Sequence, residues 1–279
     1  MLRPGHFIAA VLLLTPAAFA ARQDGLVGYF TFDDENAPLK NSAPENGLVP
    51  MEGKRLGDAI GMTFAPGKFN RAAAFANTGG SARINDWAVS LGNLDKLYAG
   101  NFTVAFWMLV DKSQEGVVIG DKESFGIAPG WTVGQRSGNH YNLRTLGGSE
   151  SKAYTFGLER KGWTHVALTV DRDRGDATFY IDGGKANHTY KLNDPKAVLG
   201  DNVATVVGAA SNGTFGAKAL VDELGIWNRV LSKTEIESLG RDDKDHVARR
   251  IPETSSLAWL GGAVALAGIA VRRRRRQSV

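Results

Sequence analysis

Carboxylates, aromatic rings and hydroxyls are the groups in this chain that could do chemistry, and their spacing narrows what that chemistry is. Glycoside cleavage needs two carboxyl groups facing each other across about 5 Å in the retaining case, and on a strand that reads Glu-x-Asp-x-x-Glu. No such run exists in the chain. Asp33-Asp34-Glu35 is an acidic cluster closing an apolar run, and Asp171-Arg172-Asp173-Arg174 reads as a charged hairpin tip. No Gly-x-Ser-x-Gly elbow presents a serine nucleophile. Cysteine is absent, which removes thiolate catalysis, disulfides and Cys-ligated zinc together. His140, His165, His188 and His246 are scattered without metal-ligand spacing. Binding is better represented. Sugars stack on aromatic faces and hydrogen-bond to amides and charged groups, and Trp131, Arg136, Asn139, His140, Tyr141 and Asn142 fall in one glycine-bearing segment. Trp131, Arg136, Asn139 and Tyr141 are the ligand-binding set expected there, against the alternative that these rings are packing.

The elements that must position such groups are strands. Glycine is abundant, at 34 residues, while long helical periodicity is missing. Residues 26–32 alternate, with Val27, Tyr29 and Thr31 on one face and Leu26, Gly28, Phe30 and Phe32 on the other. Residues 103–110 are apolar on both faces and predict a central strand covered on both sides. Residues 164–170 turn Val166, Leu168 and Val170 inward, with Trp163, His165 and Thr169 opposite. Residues 177–182 run into the turn Asp182-Gly183-Gly184. Residues 219–227 form the last strong strand, and Ser232-Lys233-Thr234-Glu235 is a capping box opening a short helix that Gly240 closes. Strands at this spacing with one late helix predict an all-β sandwich or jelly roll.

Both ends of the chain address delivery. Arg3 and His6, the apolar residues 7–14 and Ala18-Phe19-Ala20 form a signal peptide over residues 1–20, so the mature chain is expected to start near Ala21. At the other end an apolar run over residues 257–271 stops against five arginines, residues 272–276. Counted back to Thr254, the run approaches the roughly 30 Å of a bilayer core as a transmembrane helix, with the arginines on the cytoplasmic side. Pro252-Glu253, the apolar helix and the basic tail resemble the PEP-CTERM sorting signal, with Thr254 where that family usually has proline. The resemblance implies an exosortase-like processing enzyme and the surface of a Gram-negative-type bacterium; the alternative is an ordinary tail anchor. Residues 21–240 then form one domain, 241–253 a linker and 254–279 the sorting segment. The formal charge of +4 includes Arg3 and the terminal arginines. The exported part is therefore slightly acidic, which argues against a nucleic-acid partner.

Motifs through the whole exported part resemble a laminin-G-like, concanavalin A-like jelly roll. They are Leu26-Val27-Gly28-Tyr29-Phe30-Thr31-Phe32-Asp33, Gly67-Lys68-Phe69-Asn70-Arg71-Ala72, Asn101-Phe102-Thr103-Val104-Ala105-Phe106-Trp107, Trp163-Thr164-His165-Val166-Ala167, Tyr180-Ile181-Asp182-Gly183 and Val221-Asp222-Glu223-Leu224-Gly225-Ile226-Trp227. The resemblance implies two antiparallel sheets packed face to face, with the first and last strands adjacent and Asp33 and Asp222 brought together. It further implies a structural calcium ion in that region, for which Asp33, Asn41 and Asp222 could supply oxygen ligands; the alternative is that these side chains accept hydrogen bonds from loop amides without a metal.

Three functions remain open at this point. The favoured one is an exported, surface-anchored, non-catalytic binding or adhesion module for a glycan, exopolysaccharide or matrix protein. The others are a polysaccharide-active enzyme whose carboxylates come from separate strands, and a structural envelope protein.

Overall fold

The computed structural model describes residues 23–57, 62–77, 83–110, 115–123, 130–135, 162–192, 194–196 and 202–241. The strands are β1 (Leu26–Phe30), β2 (Lys54–Leu56), β3 (Phe64–Pro66), β4 (Arg71–Ala76), β5 (Ala88–Ser90), β6 (Phe102–Val110), β7 (Gly116–Gly120), β8 (Thr132–Gln135), β9 (Thr164–Asp171), β10 (Asp176–Ile181), β11 (Ala186–Lys191), β12 (Val206–Val207) and β13 (Lys218–Trp227). Among the described residues two short helices are α1 (Asp95–Tyr98) and α2 (Lys233–Leu239).

These strands make the two antiparallel sheets that the alternation predicts. The larger runs β11-β10-β9-β6-β13-β4-β3, with β1 also on β13; the smaller runs β2-β5-β12-β7-β8. Apolar residues from their facing surfaces interlock as one core: Val104, Phe106 and Met108 of β6, Val166, Leu168 and Val170 of β9, and Val221, Leu224 and Ile226 of β13 meet Val89, Ile119, Val133 and Val207 of the smaller sheet. Burial of each such side chain stabilises the fold by about 1.5–3 kcal/mol, and in a chain without cysteine this core carries the structure.

The strand over residues 103–110 is central and covered on both faces, as its composition requires. Its outer side chains Thr103, Ala105 and Trp107 are buried too. The cover over Thr103 is the segment leading into α2: the Thr103 hydroxyl donates to the Arg229 carbonyl at 2.8 Å and accepts from the Leu231 N–H at 3.0 Å. The helix starts where the capping box places it. Ser232 accepts from the Glu235 N–H while the Glu235 carboxylate accepts from the Ser232 N–H, satisfying donors that a helix start otherwise leaves open.

The first strand differs from its expected alternation. Val27 lies in the same core as Phe30 and Phe32 instead of on the opposite face. A register shift between Leu26 and Gly28, against Trp227 and Ile226 of β13, inserts one extra residue and reverses the parity. The strand also ends at Phe30, because Phe32 takes a positive φ of 61°. The signal peptide, nearly all of the linker and the sorting segment lie outside the described residues, and a compact unit ends at Arg241. Among the described residues no helix is long and apolar enough to cross a membrane.

Candidate functional site

Asp33 and Asp222 meet because β13 changes partner halfway along one edge. Val221 still pairs with Ala73 of β4, whereas Leu224 already pairs with Phe30 of β1. Between them a bulge interrupts the ladder to β6 from Asp222 to Gly225, and Glu223 takes a positive φ of 53°. The chain leaving β1 and the chain entering β4 thus pass the same point. Asn70, just before β4, also has a positive φ of 48°, so three strained non-glycine residues, Phe32, Asn70 and Glu223, surround one locus. Strain of this kind costs about 1–3 kcal/mol per residue and persists only where the surroundings impose it.

The two carboxylates hold the turn between β3 and β4 from opposite sides. Asp33 Oδ1 accepts from the Arg71 N–H at 3.0 Å and Oδ2 from Asn70 Nδ2 at 3.1 Å. Asp222 Oδ2 accepts from the Phe69 N–H at 2.9 Å. Gly67 allows this approach, since a Cβ there would stand 2.6 Å from Asp222 Oδ2. The pinned turn then lays its side chains on the sheet: Phe69 meets Trp107 edge-on at 6.2 Å, and Lys68 Nζ sits 4.3 Å over the same indole. Beneath, the Tyr29 hydroxyl donates to Glu223 Oε2. Burial, then the neighbouring Glu223 charge, pushes the Asp222 carboxyl up to about 8. Burial, again followed by Glu223, raises the Tyr29 hydroxyl well above its ordinary range. Asp222 Oδ1 is buried without a hydrogen-bond partner.

Asn41 serves a different purpose from the one expected. It is fully buried at 0% exposure, and its amide is already satisfied within the protein. Oδ1 accepts from the N–H groups of Tyr29 and Ala43 at 2.8 and 2.9 Å, and Nδ2 donates to the carbonyls of Val27 and Pro50 at 3.1 and 3.2 Å. The residue ties the loop after β1 back onto that strand.

Trp131 is corrected as well. Expected on a loop or concave face, it is 1% exposed and packs between Tyr98, at 5.9 Å, and Phe102, at 6.4 Å. Its backbone N–H donates to Asp121 Oδ1 at 2.6 Å. Arg136, Asn139 and Tyr141 lie outside the described residues. Of the side chains expected opposite Val166 and Leu168, Trp163 is half-buried, while His165 is only 2% exposed and lies against Trp107 at 5.3 Å.

Sequence reasoning passed over two buried groups. Glu223 is signalled by an acid pair inside an apolar strand with Gly225 two residues on, the pattern of a bulge. Asp121, just after β7, accepts the Trp131 N–H, and burial raises its carboxyl to about 7; a single acid after an apolar run carries no such signal. Among the described residues no group of three His, Cys, Asp or Glu side chains is placed to hold a metal ion.

A family model described as the concanavalin A-like lectin/glucanases superfamily matches residues 77–237. No curated protein matches the chain in sequence. Among solved structures, the botulinum neurotoxin serotype D binding domain matches with a TM-score of 0.57 and 18% identity, over 80% of this chain and 52% of that one. The binding domain of Paraclostridial Mosquitocidal Protein 1 matches with 0.55 and 17%, over 78% and 52%. Domain 4 of AbnA, an extracellular arabinanase from Geobacillus stearothermophilus, solved in complex with arabinotriose, matches with 0.51 and 19%, over 77% of this chain and 98% of that one. The chain spans about half the length of the two toxin structures, and at these identities the likeness shows the fold.

Proposed function

The chain belongs to the concanavalin A-like lectin/glucanases superfamily, and from that premise we propose that it is a non-catalytic carbohydrate-binding module, exported and held at the cell surface. The observation that carries this reading is the use made of the acidic cluster. Asp33, just after β1, and Asp222, in β13, come from separate segments, as a hidden catalytic pair would, yet both are turned onto one backbone loop and Asp222 is buried. A glycosidase pair must instead face a substrate across a gap. The similar structures lend support: two are binding domains, and the arabinanase domain was solved with arabinotriose. The partner is a glycan or exopolysaccharide, with a matrix protein as the competing ligand. The two ends of the chain add an exosortase-like processing enzyme and a membrane anchor to the proposal. Weak single-site contacts would gain avidity from many copies on one surface.

The purified chain is expected to be retained on at least one member of an immobilised polysaccharide panel, and to release neither reducing ends nor unsaturated products from it. Product release would replace the module by an enzyme. Retention of none would favour a protein-binding or structural role.

The calcium ion stays within this proposal, narrowed to Asp33 and Asp222. Asn41 Oδ1 already accepts two bonds, whereas Asp222 Oδ1 is a buried oxygen with no donor, the feature that fits a cation. Backbone carbonyls would supply the remaining oxygen ligands, and the ion would contribute charge neutralisation beside Glu223. If this is correct, calcium at a hundred times its dissociation constant stabilises the fold by about 2.7 kcal/mol. The melting temperature should rise on calcium addition in the parent chain and stay level in Asp222→Ala. Superimposable melting curves of the parent in calcium and in chelator would remove the ion and leave the loop-holding role.

A further inference from the structure

We propose that His165 is an acid-sensitive latch for the C-terminal helix: charging its imidazole releases α2 and Gly240 from the outer face of the larger sheet while both sheets stay folded. The geometry that carries this is the way the helix end seals the ring. His165 projects from β9 on the face opposite Val166, Leu168 and Val170 and rests edge-on against Trp107 of β6. Gly240, the residue closing α2, lies directly on it: a Cβ at Gly240 would stand 3.1 Å from His165 Nδ1 and would strike the Gly183 backbone. Gly183, in the turn after β10, has a positive φ of 66°, and a Cβ there would stand 3.2 Å from the Gly240 Cα and 3.3 Å from the Glu237 carbonyl oxygen. The imidazole is therefore covered by the Gly240 backbone, itself wedged against Gly183, and Nδ1 is buried with no hydrogen-bond partner.

An imidazolium in that position would have neither water nor an acceptor for the Nδ1 proton, and burial alone holds the ring's protonation down to about 3. The charged groups around it do not relieve this. Lys68 occupies the Trp107 ring and lies within the field of Asp182. Asp182 meets His165 through its backbone, its N–H donating to the His165 carbonyl at 2.8 Å. Glu237 lies on α2 beside the Gly183-Gly184 turn, Lys185 on that turn is exposed, and Asp222 pairs with Trp107 from the far side on β13. With α2 lifted away the ring meets water and titrates near 6.5. The released state therefore binds one more proton between those two limits. Each pH unit below 6.5 multiplies the release constant about tenfold.

Release stays local because the two partners differ in what holds them. Strand β9 is paired on both sides, to β6 and β10. The helix has seven residues and buries only Ile236 and Leu239, the profile of a unit that opens below the global unfolding free energy. Its upstream end is fixed by the Thr103 hydroxyl bonds to Arg229 and Leu231, so opening begins after Leu231.

Amide hydrogen exchange on the intact chain, expressed as protection factors from pH 7 to pH 4.5, tests the latch. The Ile236 and Gly240 amides, which donate within and at the end of α2, should lose protection about tenfold per pH unit below 6.5, while Val166 and Leu168 keep theirs. In His165→Gln the helix amides should show no such slope. Equal loss in His165→Gln, pH-independent helix protection, or simultaneous loss at the sheet amides would each overturn the proposal. Should His165→Gln fail to fold, the ring resonances of His165 in the parent chain decide: titration in step with helix exchange supports the latch, and titration near 6.5 with α2 still protected overturns it.

Discussion

Trp131→Ala should lower the stability of the folded domain by about 3–5 kcal/mol, measured as the shift in denaturant midpoint, and leave glycan retention by the still-folded fraction unchanged. The indole is 1% exposed and fills the space between Tyr98 and Phe102. Alanine would leave a cavity that neighbours held in two sheets and in α1 cannot close. The loss would spread to Asp121, whose Oδ1 is held by the Trp131 N–H, because a backbone shift at 131 weakens that bond too. Trp131→Phe keeps most of the ring volume and should recover more than half of the loss. A binding role for Trp131 makes the opposite prediction: retention lost with the midpoint unmoved.

The residue also shows where the sequence can mislead. Its sequence neighbours place Trp131 with the polar and aromatic residues of one glycine-bearing segment. Parity argues otherwise, since Trp131, the residue before β8, stands two positions from Val133, and both are core. The run is four residues long, too short for the alternation to stand out. The same shortness hides β2, β3, β5 and β12, of which β12 has only Val206 and Val207 yet lies inside the smaller sheet between β5 and β7. Long strands with strong patterns, β6, β9 and β13, were legible because eight to ten residues give the period several repeats.

At the acidic cluster, the meeting of Asp33 with Asp222 was legible through the resemblance, because it follows from the first and last strands being neighbours. What each oxygen does was not. Asn41 was read as a ligand for its amide oxygen, and the same oxygen serves equally well as an acceptor for two backbone N–H groups. Residue type alone cannot separate the two uses. Only the count of donors reaching each oxygen does, and among Asp33, Asn41 and Asp222 that count leaves Asp222 Oδ1 without a partner.

Asp121 should contribute stability that falls as pH rises from about 4 to 7, the largest such contribution outside the Asp33 and Asp222 locus. Its carboxyl, fully enclosed beside Tyr98 and Trp131, is raised by burial from 3.8 to about 7, more than the Trp131 and Asp121 backbone N–H groups and Lys122 lower it. The sign follows from which state holds the proton. The folded state keeps it between the two values while the unfolded chain has released it, so the stabilisation is complete below pH 4 and is lost as pH climbs through 7. The full excursion is on the order of 4 kcal/mol. His165 acts in the opposite sense, since its folded value is lowered to about 3 and its stabilisation is lost as pH falls below 6.5. The two slopes therefore oppose each other between pH 4 and 6.5, and only Asp121 of the pair still acts from 6.5 to 7. Asp222, whose carboxyl is raised to about 8, titrates in the same range, so urea titrations at pH 6.5 and pH 8 on the parent chain and on Asp121→Asn, taken as a difference, separate the Asp121 share from it. Asp121→Asn keeps an acceptor for the Trp131 N–H and cannot ionise, so its stability at pH 8 should exceed that of the parent chain and should not change between the two pH values by the Asp121 share. An Asp121→Asn variant that loses stability with rising pH as steeply as the parent would show that the buried carboxyl is not the source.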